Sequence, residues 1–215
     1  MKYKYILFDL DGTLTDPKEG ITKSIQYALK KYDINIDDLD SLVNFIGPPL
    51  IDSFKEYYGF DEEKSKEAVE FYREYYKTKG IFENFVYPGI SDMLENMMRK
   101  GCIVILATSK PTLFAEQILE YFNLRQFFDY VIGSNLDGTR GKKGDIIKYI
   151  INSSGIENIN EVVMVGDRKY DIAGAKENNI DSIGVTFGYG SIEELKSAEP
   201  TYISDSAEDI FKLVL

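Results

Sequence analysis

The chain reads as a doubly wound α/β domain built on a parallel sheet, with a second, purely helical domain inserted near its start. Three observations lead there. Short apolar runs at 5–8, 102–107, 130–132, 162–165 and 182–185 lack polar alternation, the pattern of parallel strands buried on both faces. From residue 88 onward these runs alternate with stretches of helical period, as in consecutive βα units. Between 16 and 87, by contrast, helical stretches follow one another with no strand pattern among them.

The first run, Tyr5-Ile6-Leu7-Phe8, leads into Asp9-Leu10-Asp11-Gly12-Thr13. Gly12 bounds a tight turn, and an extended backbone through Leu10 puts Asp9 and Asp11 on one side, where they can share a cation or divide nucleophile and acid/base roles. An Asp-Gly pair alone would only make a turn, but two acids flanking one apolar residue carry a repulsion that a turn does not require. Residues 19–32 open with acid and place Ile21, Ile25, Ala28 and Leu29 at helical spacing. Residues 37–45, 50–58 and 62–78 also read as helices, separated by Gly47-Pro48-Pro49 and Gly59-Phe60-Asp61. Pro88-Gly89 is the return hinge, so the expected domains are 1–15 with 88–215, and 16–87. After the hinge the expected helices are 90–100, 111–122, 143–153, 170–178 and 207–215.

Composition removes several kinds of function. The 215 residues, 44% of them hydrophobic, suffice for one full core and a small second one. No run reaches the length of a membrane span, and the N-terminus lacks a signal-peptide core, so a cytoplasmic protein without a membrane partner is expected. The single cysteine, Cys102, precedes an apolar run and is expected to be a small core residue. A net charge of −11 without a dense basic patch argues against nucleic-acid binding. A small phosphorylated ligand would have to be attracted locally, by a cation, a lysine or a helix N-terminus. With no histidine in the chain, imidazole triads, histidine zinc sites and phosphohistidine chemistry are excluded.

In a doubly wound sheet, ligands bind beyond the carboxyl ends of the strands, so the polar residues ending each run should meet. Thr108 and Ser109 follow the second run and are expected just before a helix start at Lys110-Pro111, either as an ordinary N-cap or as a phosphate-oxygen site. Arg140-Gly141-Lys142-Lys143-Gly144-Asp145 precedes the next helix and reads as a solvated loop unless one lysine turns inward. Val163-Met164-Val165-Gly166-Asp167 brings an acid to a strand tip, and Asp171 returns one helical turn later. Beside Asp9 these acids would make an oxygen-only site suited to Mg²⁺.

Asp9, Asp11, Gly12 and Thr13 resemble the DxDGT signature of the haloacid dehalogenase-like superfamily. Thr108 resembles its second motif, Lys143 its third, with Lys142 as the alternative because no Lys-Pro marks the position, and Gly166, Asp167 and Asp171 its GDxxxD fourth motif. The arrangement is similar to the helical-cap subgroup of phosphoglycolate phosphatase-like hydrolases. That resemblance implies a Rossmann-like five-stranded sheet with the first strand central and a cap over the site. It also implies a catalytic set of Asp9 as phosphate-accepting nucleophile, Asp11 as general acid/base, Thr108 and Lys143. Mg²⁺ would be held by Asp9, Asp11, Asp167 and Asp171, and the phosphate by Gly12, Thr108, Ser109 and Lys143. The expected activity is hydrolysis of a small phosphorylated metabolite, a phosphoglycolate-like, nucleotide or sugar monoester, by a monomer or homodimer. A sugar-phosphate mutase similar to β-phosphoglucomutase is the rival, weakened by the absence of a cap histidine, and a dehalogenase fits less well. A non-catalytic phosphoacceptor would have little use for a lid. Within the cap, the turn Gly47-Pro48-Pro49 and the cations Lys23 and Arg73 are the candidate specificity elements.

Overall fold

The computed structural model describes residues 1–137 and 139–215. In chain order it contains β1 (Tyr5–Phe8) and the short β2 (Thr15–Asp16), then α1 (Lys18–Lys30), α2 (Leu50–Tyr58) and α3 (Glu62–Tyr75). There follow β3 (Phe85–Val86), α4 (Ile90–Arg99), β4 (Ile103–Pro111), α5 (Thr112–Tyr121), β5 (Tyr130–Ser134) and α6 (Lys143–Ser153). The remainder is β6 (Val162–Gly166), α7 (Lys169–Glu177), β7 (Asp181–Val185), α8 (Ile192–Ala198), β8 (Tyr202–Ser204) and α9 (Ala207–Val214). Two compact units result, Met1–Asp16 with Val86–Leu215, and Pro17–Phe85. The breaks fall at 16/17 and 85/86 rather than at 15/16 and 87/88.

The helical unit is closed by aromatic packing. Phe54 stacks on Phe60 at 5.9 Å between centroids, and Phe45 meets Phe54 edge-on at 5.2 Å. Gly59, with φ 64°, ends α2 in a left-handed cap, and the Asp61 carboxylate accepts from the Lys64 N–H at 2.8 Å to start α3. The expected helix at 37–45 forms as a 3₁₀ segment, Leu39–Phe45, opened by Asp38, whose side chain accepts from the Asp40 N–H. At Tyr76–Gly80 α3 widens into a π turn, and Gly20 lets α1 approach it, since a Cβ there would lie 1.9 Å from the Gly80 carbonyl oxygen.

In the other unit all strand pairs of the sheet are parallel, in the order β5-β4-β1-β6-β7-β8. Tyr5, Leu7, Ile105, Ala107, Val162 and Met164 share one face, where they pack with Ile146, Ile147 and Ile150 of α6 and Ala175 of α7. The alternate residues, Ile6, Phe8, Leu106, Val163 and Val165, are buried as well, as the unbroken apolar runs require. β1 is central among five strands, and β8 adds a sixth at the edge beyond β7. The 102–107 run continues as strand to Pro111, with a register irregularity after Ala107. Consequently α5 begins at Thr112, and Thr108 and Ser109 do not lie at a helix N-terminus. Among the described residues, no helix is long and apolar enough to cross a membrane. Cys102 is a buried free thiol.

Candidate active site

At the carboxyl end of the sheet β1 delivers Asp9, and adjacent β6 delivers Asp167. The Asp9 N–H donates to the Val165 carbonyl at 2.9 Å, continuing the ladder by one residue and fixing the acid against β6. Asp9 Oδ1 accepts from the Leu10 N–H at 2.8 Å and from Lys143 Nζ at 2.9 Å. Lys143 is the first residue of α6 and is buried, whereas Lys142 is exposed. Its ammonium also meets Asp171 Oδ1 at 2.9 Å and the Ala107 carbonyl at 2.8 Å. Burial alone would pull Lys143 down, but Asp171 and Asp9 hold it above the ordinary lysine range.

Glycines make this convergence possible. A Cβ at Gly174 would lie 2.9 Å from the Gly144 nitrogen, so the start of α6 can rest on α7 and bring Lys143 to Asp171. A Cβ at Gly166 would lie 2.1 Å from Asp171 Cγ. The Asp171 carboxylate in turn accepts from the Arg168 N–H at 3.1 Å, reaching back over the first turn of its own helix. Burial, only partly offset by Lys143, pushes Asp171 up to about 6.

Asp9, Asp167 and Asp171 are all buried, and each offers an oxygen within 4.8 Å of the others. Asp167 accepts from Thr13 Oγ1 at 3.3 Å and from the Tyr189 N–H at 2.8 Å. Burial, then the Asp171 and Asp9 charges, push Asp167 well above the ordinary carboxylate range, so in its ionised form it calls for a positive partner. Together the three carboxylates face one ammonium, Lys143, a formal excess of two negative charges. An oxygen-only, doubly negative cluster fits a hard divalent cation.

Residues 6–185 match the family model described as haloacid dehalogenase-like hydrolase. The chain belongs to that family. It is 45% identical over 208 residues to a 5'-nucleotidase of Pseudomonas aeruginosa, covering 96% of this chain and 94% of that one. A tyrosine-protein kinase, PtkA of Mycobacterium tuberculosis, is 32% identical over 203 residues, 94% of this chain and 68% of the relative. Among solved structures, a predicted phosphatase from Clostridium acetobutylicum superposes with a TM-score of 0.97 at 51% identity, over 100% of this chain and 99% of that one. More distant relatives are named phosphoglycolate phosphatase.

Within this haloacid dehalogenase-like site two expected placements change. The Asp11 carboxylate lies outside the three-acid cluster, and its Oδ2 meets Lys110 Nζ at 2.8 Å instead. The Gly12 N–H is engaged by the Thr15 carbonyl at 2.8 Å, so this residue offers no N–H to a phosphate. Gly12 instead gives clearance, since at φ 85° a Cβ would fall 2.2 Å from Asp167 Oδ2. Thr108 is buried in the last part of β4, its Oγ1 accepting from the Lys110 N–H at 3.2 Å, and Ser109 is half-buried.

For Lys110 and the loop after β7 the sequence carries little functional signal. Lys110 sits in a short polar stretch before a proline and looks like a loop charge. The loop acts through the Tyr189 backbone, for which the flanking Gly188 and Gly190 are the only sequence signal. Cβ atoms at those glycines would lie 2.4 Å from Asp167 Cβ and 2.0 Å from the Asp167 carbonyl oxygen, respectively. Gly188→Ala, whose Cβ also meets the Gly12 carbonyl oxygen at 2.2 Å, is therefore expected to cost roughly 1–3 kcal/mol of stability. A lowered midpoint of urea unfolding would register that overpacking; an unchanged midpoint would mean that the loop can lift without cost.

Proposed function

We propose that the chain is a Mg²⁺-dependent phosphatase that hydrolyses a small phosphate monoester through an aspartyl phosphate on Asp9. The observation that carries this reading is the buried trio Asp9, Asp167 and Asp171 with Lys143 between two of its members. Mg²⁺ held by these acids would supply the positive charge that lets a phosphate dianion approach a carboxylate. The chain's own groups do the rest. Asp9, with Oδ1 fixed by two donors, attacks phosphorus, forming the acyl phosphate and breaking the ester bond. Asp11 gives its proton to the departing alkoxide, then takes one from the water that cleaves the acyl phosphate, which restores Asp9 and releases inorganic phosphate. Thr108, Ser109 and Lys143 are assigned to the phosphoryl oxygens, and the helical unit Pro17–Phe85 to the part of a cap domain.

The 45% identity to a protein named 5'-nucleotidase makes nucleoside monophosphates the first substrates to try. Phosphate release should be measured from nucleoside 5'-monophosphates, sugar phosphates and phosphoglycolate, with Mg²⁺ and with excess chelator. Turnover of at least one monoester that disappears with the chelator is the expected result. Full turnover in excess chelator, or none from any ester, would overturn the reading.

A further inference from the structure

Asp11 stands apart from the other acids of the site. Its Oδ2 is bound to Lys110 Nζ at 2.8 Å, with the two side chains 12% and 6% exposed. Its Oδ1 is buried and has no hydrogen-bond partner among the described residues. Asp9, two positions earlier, belongs to the three-acid cluster, and Asp11 does not. A fourth carboxylate so close in sequence would be drawn toward a divalent cation, which accepts six oxygens or more. Lys110 is well placed to oppose this. Its backbone is held in the final part of β4, where its N–H donates to Thr108 Oγ1 at 3.2 Å. On the neighbouring strand a Cβ at Gly133 of β5 would lie 2.3 Å from the Lys110 carbonyl oxygen, so β5 runs close against the Lys110 backbone.

We propose that Lys110 is a positioning residue whose ammonium holds Asp11 outside the cation cluster, so that Asp9, Asp167 and Asp171 share the cation and Asp11 stays available for proton transfer. This rests on the phosphatase reading of the same site. Without Lys110, Asp11 turns toward the cation, which then binds more tightly while the proton donor is lost. A residue needed only for folding would weaken cation binding and turnover together, and one that only grips the substrate would raise KM and leave cation affinity alone.

The test is a double-mutant cycle on the full chain, with Mg²⁺ affinity measured by calorimetry in the absence of substrate. Lys110→Met is expected to bind Mg²⁺ about tenfold more tightly, while turnover of an alkyl phosphate falls by roughly a hundredfold. Adding Asp11→Asn should cost about tenfold in Mg²⁺ affinity in the Lys110→Met background and less than about threefold when Lys110 is present. An equal cost in both backgrounds would attribute the gain to the removed charge alone and overturn the proposal. So would an unchanged or weakened Mg²⁺ affinity in Lys110→Met. Lys110→Gln serves as the second variant, with circular dichroism verifying that each chain is folded. A native chain that neither binds Mg²⁺ nor hydrolyses any monoester would instead defeat the underlying phosphatase reading.

Discussion

Lys143→Ala is expected to lower turnover by a factor on the order of 10²–10³, while Lys142→Ala leaves it within about threefold. The two lysines are adjacent, so the contrast isolates position from charge. Lys143 is buried, with its ammonium 2.9 Å from both Asp9 and Asp171, and Lys142 points its charge into solvent at the start of α6. Deleting Lys143 leaves those buried carboxylates without their ammonium, and breaking a buried pair of this kind costs roughly 3–5 kcal/mol. The loss should therefore appear twice, in steady-state turnover and in the midpoint of urea unfolding. Saturating Mg²⁺ should restore part of the stability, because a cation offsets the same repulsion, but little of the turnover. If Lys142→Ala proved the more damaging change, the phosphate lysine would have to be moved by one residue.

This pair also illustrates how far the sequence can be read. The strand ends carrying Asp9 and Asp167 are visible because an unbroken apolar run stops at an acid, and that local pattern needs no tertiary information. The choice between Lys142 and Lys143 does need it: it depends on the helix register of α6, set by close packing of Gly144 against Gly174. Elements with little local signal escape for the same reason. β8 is only three residues long, too short for a period, and exists because β7 offers it a partner at the sheet edge. The strand through Thr108 to Pro111 runs on where proline and charge suggest a helix start, because Pro111 still pairs with Ser134 beyond the irregularity. The Tyr189 N–H holding Asp167 is a backbone contact, which a side-chain pattern cannot announce.

Asp11→Asn should slow phosphoenzyme formation from an alkyl phosphate by a factor on the order of 10²–10⁴, and from nitrophenyl phosphate far less. The chain has no imidazole, and Asp11 is the carboxyl of the site that the three-acid cluster leaves out, which makes it the proton donor proposed for a departing alkoxide. Burial raises Asp11 above the ordinary carboxylate range although Lys110 pulls the other way, the direction a proton donor needs. An alkoxide is a strong base and leaves only with that proton, whereas nitrophenolate departs without it. The second half-reaction makes a different demand: water attacking the acyl phosphate must lose a proton whichever ester supplied the phosphoryl group, so hydrolysis should slow for both. Rapid-quench measurement of phosphate label on the mutant chain separates the two steps. With nitrophenyl phosphate the label should rise quickly and persist, giving a burst of nitrophenol equal to the enzyme present; with the alkyl ester it should accumulate slowly. Equal slowing of the first step for both esters would show that the proton comes from somewhere other than Asp11.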